Sequence, residues 1–231
     1  AARITATSGA VFVVPFLLFS PLAGILADRL SKRSIIVNMK VTELAIAVLA
    51  SIAFATGSSL GLYAILFLMA SQSALFSPAK YGIVPELVER EQLSRANSLL
   101  ESFTYLAIIL GSASASLLAQ LSSADYRNAA FACIGCSLLG LVSSVSIPKT
   151  APAAPSTENS LPSRGLKQSL NGLRSDGYLL LAILGSAYFL FLGAFAQINL
   201  IPFGMQAHGL TQEQSGYLFL VAALGIGFGS M

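Results

Sequence analysis

The chain contains seven long apolar stretches, and these constrain its fold more than any other feature of the sequence. The hydrocarbon core of a bilayer is about 30 Å thick, and a helix needs about 20 mostly apolar residues to cross it. Backbone amides inside hydrocarbon must be hydrogen-bonded within their own segment, so we expect seven membrane-spanning helices and an all-α, polytopic fold. The predicted spans are Ser8–Ala27, Ile35–Ala55, Leu60–Phe76, Leu99–Leu121, Ala129–Ile147, Tyr178–Ile201 and Gln214–Met231.

The distribution of positive charge predicts how these spans are oriented. Only 10% of the residues are charged, whereas a soluble domain has about a quarter. Lys and Arg near span ends favour the cytoplasmic side. If the hairpin Asp28–Arg33 is cytoplasmic, eleven of the thirteen basic residues lie inside and only Arg3 and Arg127 lie outside. The segments Ser77–Ser98 and Pro148–Asn171 are then cytoplasmic too. The net charge of +3 therefore reflects membrane topology, and we expect no nucleic-acid partner.

A Pro- and Ser-rich segment divides the chain. Its composition cannot bury a core, which is typical of a linker. We therefore predict an N-terminal helical bundle over residues 1–147, a cytoplasmic linker over 148–176 and the start of a second bundle over 177–231. Many membrane transporters consist of two such repeats. The chain begins without Met and ends inside an apolar run, so we expect a fragment of a longer protein.

The hairpin between the first two spans carries a recognisable charge pattern. It reads Gly24-x-x-x-Asp28-Arg29-x-Ser31-Lys32-Arg33 and resembles the signature between helices 2 and 3 of the major facilitator superfamily, although that superfamily usually has Gly at the position of Ser31. The resemblance implies twelve helices in two bundles of six and transport by alternating access. It also implies a gating role for Asp28, Arg29 and Arg33.

A second stretch narrows the resemblance. Phe76-Ser77-Pro78-Ala79-Lys80-Tyr81-Gly82-Ile83, followed by Leu93-x-x-Ala96-Asn97-x-Leu99-x-Glu101, is similar to the bacterial lysophospholipid transporter family LplT. On that alignment the chain covers about helices 2 to 8. The resemblance implies movement of lysophospholipids, such as lysophosphatidylethanolamine, across the cell inner membrane. Reacylation would be done by a separate or fused acyltransferase/acyl-ACP synthetase.

Charged residues within or beside the spans are the candidate substrate-binding residues, because charge inside a membrane is costly. Lys40 and Glu43 are three positions apart and can pair on one helical face, either to fix helix packing or to serve the transport pathway. Lys80 is either an anchor that reaches the membrane surface or a cation for the lipid phosphate. Asn97 and Glu101 share a helical face, and Glu101 is expected to face the bundle interior with Lys80 or Lys40 as its partner.

Two other function classes remain open at this point. A drug or small polar solute carrier could have the same fold. A membrane acyltransferase is suggested only by the spacing between His208 and Glu213, which a chance pair in a loop explains better. Cys133 and Cys136 form a C-x-x-C pattern within a span, where thiolates are disfavoured, so we interpret them as small apolar residues. We expect no catalytic site, no cofactor and no metal.

Overall fold

The structure, a computed structural model, describes residues 2–121, 127–150, 172, 176–211, 218, 221 and 225. Within these ranges the elements are helices, which confirms the all-α fold. They are α1 (Ala2–Arg29), α2 (Lys32–Thr56), α3 (Ser59–Gly82), α4 (Val84–Leu87), a short 3₁₀ helix (Arg90–Gln92), α5 (Leu93–Leu121), α6 (Arg127–Val145) and α7 (Gly177–His208).

Several of these helices are long and apolar enough to cross a membrane. The described residues contain four such segments, Thr7–Arg29, Lys32–Thr56, Ser59–Gly82 and Gly177–Ala196, and a shorter apolar helix, Ala129–Val145. Large apolar side chains such as Leu17, Leu60 and Phe189 remain exposed along the helices, as expected for a surface that lipid covers. Most of the seventh predicted span, Gln214–Met231, and most of the predicted linker lie outside the described residues.

Short turns connect the first three helices, and the residues in these turns suit the backbone conformations found there. Only Leu30 and Ser31 separate α1 from α2, so the charged hairpin is a tight turn even with Ser31 in place of glycine. Gly57 ends α2 with a positive φ of 62°, which glycine adopts without steric cost. The Ser58 side chain then accepts a hydrogen bond from the Gly61 amide and caps α3. The predicted spans Ile35–Ala55 and Leu60–Phe76 are therefore joined by a short turn.

Prolines lie near two helix termini without ending either helix. The predicted span Tyr178–Ile201 stops before Pro202, but α7 continues through this proline to His208 and ends at Gly209 with φ 62°. Beyond α3, α4 begins at Val84 with Pro85 in its first turn, a favoured position for proline, and the backbone is extended at Val88.

The described chain divides into two compact units. The first comprises residues Ala1–Asn97 and Ser114–Pro162, and the second comprises Ser98–Ala113 and Ser163–Met231. In the first unit α1 packs on α3, α3 packs on α2, and α2 packs on α6. Small side chains let helix backbones approach closely, and many of the most buried residues are alanines: Ala23, Ala27, Ala47, Ala70, Ala74, Ala79 and Ala130.

Candidate functional site

The α1–α2 hairpin contacts the last turn of α3 and α4. The Lys32 ammonium forms an ion pair with Glu86, just beyond the end of α3. The stem of Lys32 crosses Gly82, where an added Cβ would lie 3.0 Å from the Lys32 Cε atom. Beneath these charges Ala27, Ile35, Ile36, Ala79 and Ile83 form a buried apolar cluster. The hairpin and the segment after α3 therefore lie at one end of the first unit, which we call the hairpin end.

Arg33 fastens the same hairpin to the C-terminus of α6. Its Nε donates to the carbonyl oxygen of Ile147 at 2.6 Å, and its Nη2 donates to that of Val145 at 2.9 Å. The last carbonyls of a helix lack partners within the helix and carry partial negative charge. The Arg33 guanidinium supplies these carbonyl oxygens with hydrogen-bond donors and with a positive charge. The hydroxyls of Ser31 and Thr150 are 3.1 Å apart, so a second hydrogen-bonded contact joins the hairpin to the segment after α6.

The contacts of α2 with α6 keep one register over three helical turns. Arg33 meets Ile147 at the hairpin end, Lys40 lies against Gly140, and Glu43 accepts a hydrogen bond from Ser137. Ten positions along α2 thus correspond, in the opposite direction, to the ten positions from Ser137 to Ile147, the last two of which follow the end of α6. At 1.5 Å per residue, Glu43 lies about 15 Å from Arg33 along the helix axis. That distance is about half of the bilayer core.

A polar cluster, the Glu43 cluster, lies at this distance from the hairpin end. It comprises Lys40 and Glu43 of α2, Gln72 of α3 and Ser137 of α6. Lys40 Nζ donates to Glu43 Oε2 at 2.8 Å, and Ser137 Oγ donates to Glu43 Oε1 at 3.3 Å. Gln72 Nε2 lies 3.5 Å from Glu43 Oε2. The predicted pairing of Lys40 with Glu43 is therefore confirmed, and donors from three helices converge on one carboxylate.

The ammonium of Lys40 is also held by apolar neighbours. It lies 5.3 Å from the centroid of the Phe76 ring, within the range of a cation–π interaction. On α6, Gly140 leaves room for the stem, since an added Cβ would lie 3.4 Å from Lys40 Nζ. The side chains of Lys40 and Glu43 keep exposed fractions of 23% and 19%. The pair is thus held by protein contacts and remains partly exposed.

Sequence reasoning did not identify Gln72 and Ser137 as members of this cluster. Both are only 5% exposed. Gln72 also donates to the backbone carbonyl of Met39 at 3.1 Å, so its amide group ties α3 to α2. A buried polar group must find a partner. A glutamine in the middle of an apolar span was the available signal for such a partner on a neighbouring helix.

The other candidate substrate residues lie on α3 and α5. Lys80 is half-buried in the last turn of α3, and its ammonium lies 5.3 Å from the centroid of the Tyr81 ring. Asn97 is exposed on α5, and Glu101 is half-buried one turn later. Asn97 belongs to the first unit and Glu101 to the second. The substrate-binding roles of these residues stay predictions.

A comparison with protein families decides the fold family. The family model described as "Major Facilitator Superfamily" matches residues 3–231, which is nearly the whole chain. The chain belongs to this superfamily. It is therefore a multi-pass membrane protein, in agreement with its apolar helices and its exposed apolar surface.

Several proteins named "Lysophospholipid transporter LplT" are similar to this member of the superfamily. Those of Escherichia coli O1:K1 / APEC and of Escherichia coli O45:K1 (strain S88 / ExPEC) are each 31% identical over 226 residues. That of Shigella boydii serotype 4 (strain Sb227) is 30% identical over the same length. Each match covers 95% of this chain and 54% of the relative. The chain thus spans about half the length of the curated relatives it matches.

The residues of the superfamily signature differ in their surroundings. Asp28 and Arg29 are exposed at the end of α1, whereas Arg33 is half-buried and bonded to the end of α6.

Cys133 and Cys136 are free cysteines on the exposed surface of α6. His208, in the last turn of α7, meets the Phe203 ring edge-on at 5.2 Å between centroids. Its suggested partner Glu213 lies outside the described residues.

Proposed function

We propose that the protein moves lysophospholipids, such as lysophosphatidylethanolamine, across the bacterial inner membrane by alternating access. The observation that carries this proposal is the identity of 31% over 226 residues with proteins named as lysophospholipid transporters. Membership of the major facilitator superfamily supports the same mechanism. Two-bundle transporters bind substrate near the bilayer midplane and rock around it.

The chemistry of the substrate agrees with the charges on the chain. A lysophospholipid carries one acyl tail and a charged headgroup, and an unpaired charge in hydrocarbon costs several kcal/mol. Polar groups must therefore accompany the headgroup through the membrane. The Glu43 cluster supplies a cation and an anion at about half the depth of the bilayer core. We propose that Lys40 and Glu43 belong to the substrate pathway, together with Lys80, Asn97 and Glu101.

We further propose that Asp28, Arg29 and Arg33 act in gating. The exposed carboxylate of Asp28 can accept hydrogen bonds from a helix N-terminus, whose partial positive charge favours it. Arg33 contributes to the gate by holding the hairpin against α6, since its guanidinium bonds two α6-end carbonyls. The gate would thus combine an exposed carboxylate with a rigid support.

In this proposal the chain transports lipid and performs no acyl transfer itself. The relatives it matches are named as transporters. A fused or separate acyltransferase/acyl-ACP synthetase would reacylate the delivered lysophospholipid, and the chain would need no cofactor. Mass spectrometry of lipids after incubation with the purified protein and an acyl donor tests this division. Conversion of lysophospholipid to diacyl lipid by the protein alone would contradict it.

The function is tested with the full-length protein in lipid vesicles. Labelled lysophosphatidylethanolamine should move between leaflets faster than in protein-free vesicles. A monoacylglycerol with the same acyl chain should not compete, because it lacks the phosphate. A drug and a sugar serve as alternative substrates. Transport of either of these without lysophosphatidylethanolamine transport would identify another carrier and refute the proposal.

The substrate residues are tested by substitution in the same assay. Lys80→Ala and Glu101→Ala should each reduce lysophosphatidylethanolamine uptake at least tenfold, because loss of a 1.4 kcal/mol contact changes binding tenfold. Arg90, exposed between α4 and α5, provides the control Arg90→Ala. Equal uptake by all three variants would show that the two charges are structural.

A further inference from the structure

Among the described helices, the Glu43 cluster has features that an ion pair alone does not need. Surface pairs three positions apart on a helix usually stand alone and contribute little. Here a buried amide from α3 and a buried hydroxyl from α6 also converge on the carboxylate. Three donors fix both oxygens of Glu43.

We propose that Gln72 and Ser137 are positioning residues that orient Glu43, so that Lys40 presents its ammonium to the phosphate of a lysophospholipid headgroup. This inference rests on the proposed function. It adds two residues to the site and assigns the phosphate contact to Lys40. Neither Gln72 nor Ser137 needs to contact the lipid, because both act through the Glu43 carboxylate.

The donor capacity of Lys40 supports this assignment. An ammonium has three N–H donors, and within the described part of the chain Glu43 accepts one of them. The Phe76 ring attracts the charge from a second side without accepting a full hydrogen bond. With 23% of its side chain exposed, Lys40 can still donate to one ligand oxygen. Phosphate oxygens are strong acceptors for such a donor.

The positioning role follows from the flexibility of lysine. Its four-carbon stem can place the ammonium in many positions, so a fixed anion is needed to select one. Glu43 is fixed because Ser137 holds Oε1, whereas Gln72 approaches Oε2 and is itself anchored on the Met39 carbonyl. Loss of either donor should let the ion pair move as a unit without removing either charge. The substrate should then bind less tightly.

Helix α6 offers a matched control for Ser137. Ser144 lies two turns further along the same helix and is 4% exposed, against 5% for Ser137. Its hydroxyl donates to the Leu141 carbonyl of its own helix at 2.7 Å. Ser144→Ala thus removes an equally buried hydroxyl without touching the Glu43 cluster. Ser137→Thr keeps a hydroxyl at the position under test and serves as the rescue variant.

The experiment measures lysophosphatidylethanolamine uptake by the full-length protein in vesicles over a range of substrate concentrations. Ser137→Ala and Gln72→Leu should each raise the half-saturating concentration about threefold, the change expected from one interhelical hydrogen bond in a membrane protein. The maximal rate should stay within twofold of the wild type. Ser137→Thr should restore the wild-type value, and Ser144→Ala should not change it.

Three outcomes would overturn the inference. Ser137→Ala could behave like Ser144→Ala, or both tested variants could lower the maximal rate at an unchanged half-saturating concentration, which indicates a packing role alone. Failure of Ser137→Thr to restore the wild-type value would also count against positioning through the hydroxyl. Failure of the proposed function is seen separately in the wild type: uptake of another solute without lysophosphatidylethanolamine uptake would refute that function and the phosphate contact with it.

Discussion

Replacement of Arg33 tests whether the superfamily hairpin stabilises the first unit through the end of α6. The Arg33→Met variant keeps an unbranched stem of similar reach but removes the charge and all N–H donors. It should leave the carbonyls of Val145 and Ile147 without their present partner. Arg33→Lys keeps the charge but lacks the planar fork that reaches two acceptors at once.

The expected loss of stability follows from the two hydrogen bonds. Hydrogen bonds to charged groups contribute about 1.5–3 kcal/mol each, and a cation at a helix C-terminus contributes about 0.3–1 kcal/mol. The contact with Val145 is exposed, so water can replace part of it. We therefore expect Arg33→Met to lower the free energy of unfolding by about 2 kcal/mol and Arg33→Lys by about 1 kcal/mol.

Equilibrium unfolding of the full-length protein in detergent micelles, followed by circular dichroism during titration with a denaturing detergent, measures these losses. Arg90→Met is the matched control, because Arg90 is exposed on the segment before α5. It should stay within about 0.5 kcal/mol of the wild type. An equally small effect of Arg33→Met would refute the assigned role as a helix cap.

Three further predictions concern topology, gating and backbone conformation. In a variant without native cysteines, single cysteines at positions Ser31 and Ser160 should react with an impermeant thiol reagent in inside-out vesicles only; reaction in intact cells would reverse the orientation. Asp28→Asn should lower the transport rate at least tenfold with near-normal substrate binding, and equal loss of both would exclude a gating role. Gly57→Ala should cost about 1 kcal/mol in unfolding measurements because the φ of Gly57 is 62°; an unchanged stability would contradict this.

The helices and their short connections could be predicted because one physical requirement dominates each of them. Apolar runs of about 20 residues must be helical in hydrocarbon. A charged stretch between two such runs must be a turn at the membrane surface. Gly57 and Ser58 then mark the opposite turn by conformational freedom and capping. Hydropathy and turn chemistry therefore agree at these positions.

The ends of the helices were harder to predict. Pro202 is the clearest example, since α7 continues through it for six more residues, from 203 to 208. Proline removes one backbone donor and introduces a clash. Membrane helices tolerate this when nearby groups satisfy the freed carbonyl. Whether such groups are present depends on the three-dimensional surroundings, so the residue type alone does not determine where the helix ends.

The candidate site could be predicted only for contacts within one helix. Lys40 and Glu43 are three positions apart, and helix geometry brings such residues together. Gln72 and Ser137 join them through the packing of α2 against α3 and α6. Their separations from Glu43 along the chain are 29 and 94 residues. No periodicity within a single helix contains this information.

Helix α2 connects the proposed gate to the proposed substrate pathway. Its first turn holds Arg33 against α6, and three turns further on its Glu43 accepts a hydrogen bond from the same helix. Between these two contacts, α2 and α6 pack against each other in a constant register. Rigid secondary elements with contacts at both ends transmit displacement between them. A shift of α2 at the hairpin would therefore move Lys40 and Glu43 by a similar amount, whereas the exposed Asp28 lies beyond this rigid part. On this basis we expect substitutions at Arg33 to alter the half-saturating substrate concentration, and substitutions at Asp28 to alter the transport rate alone.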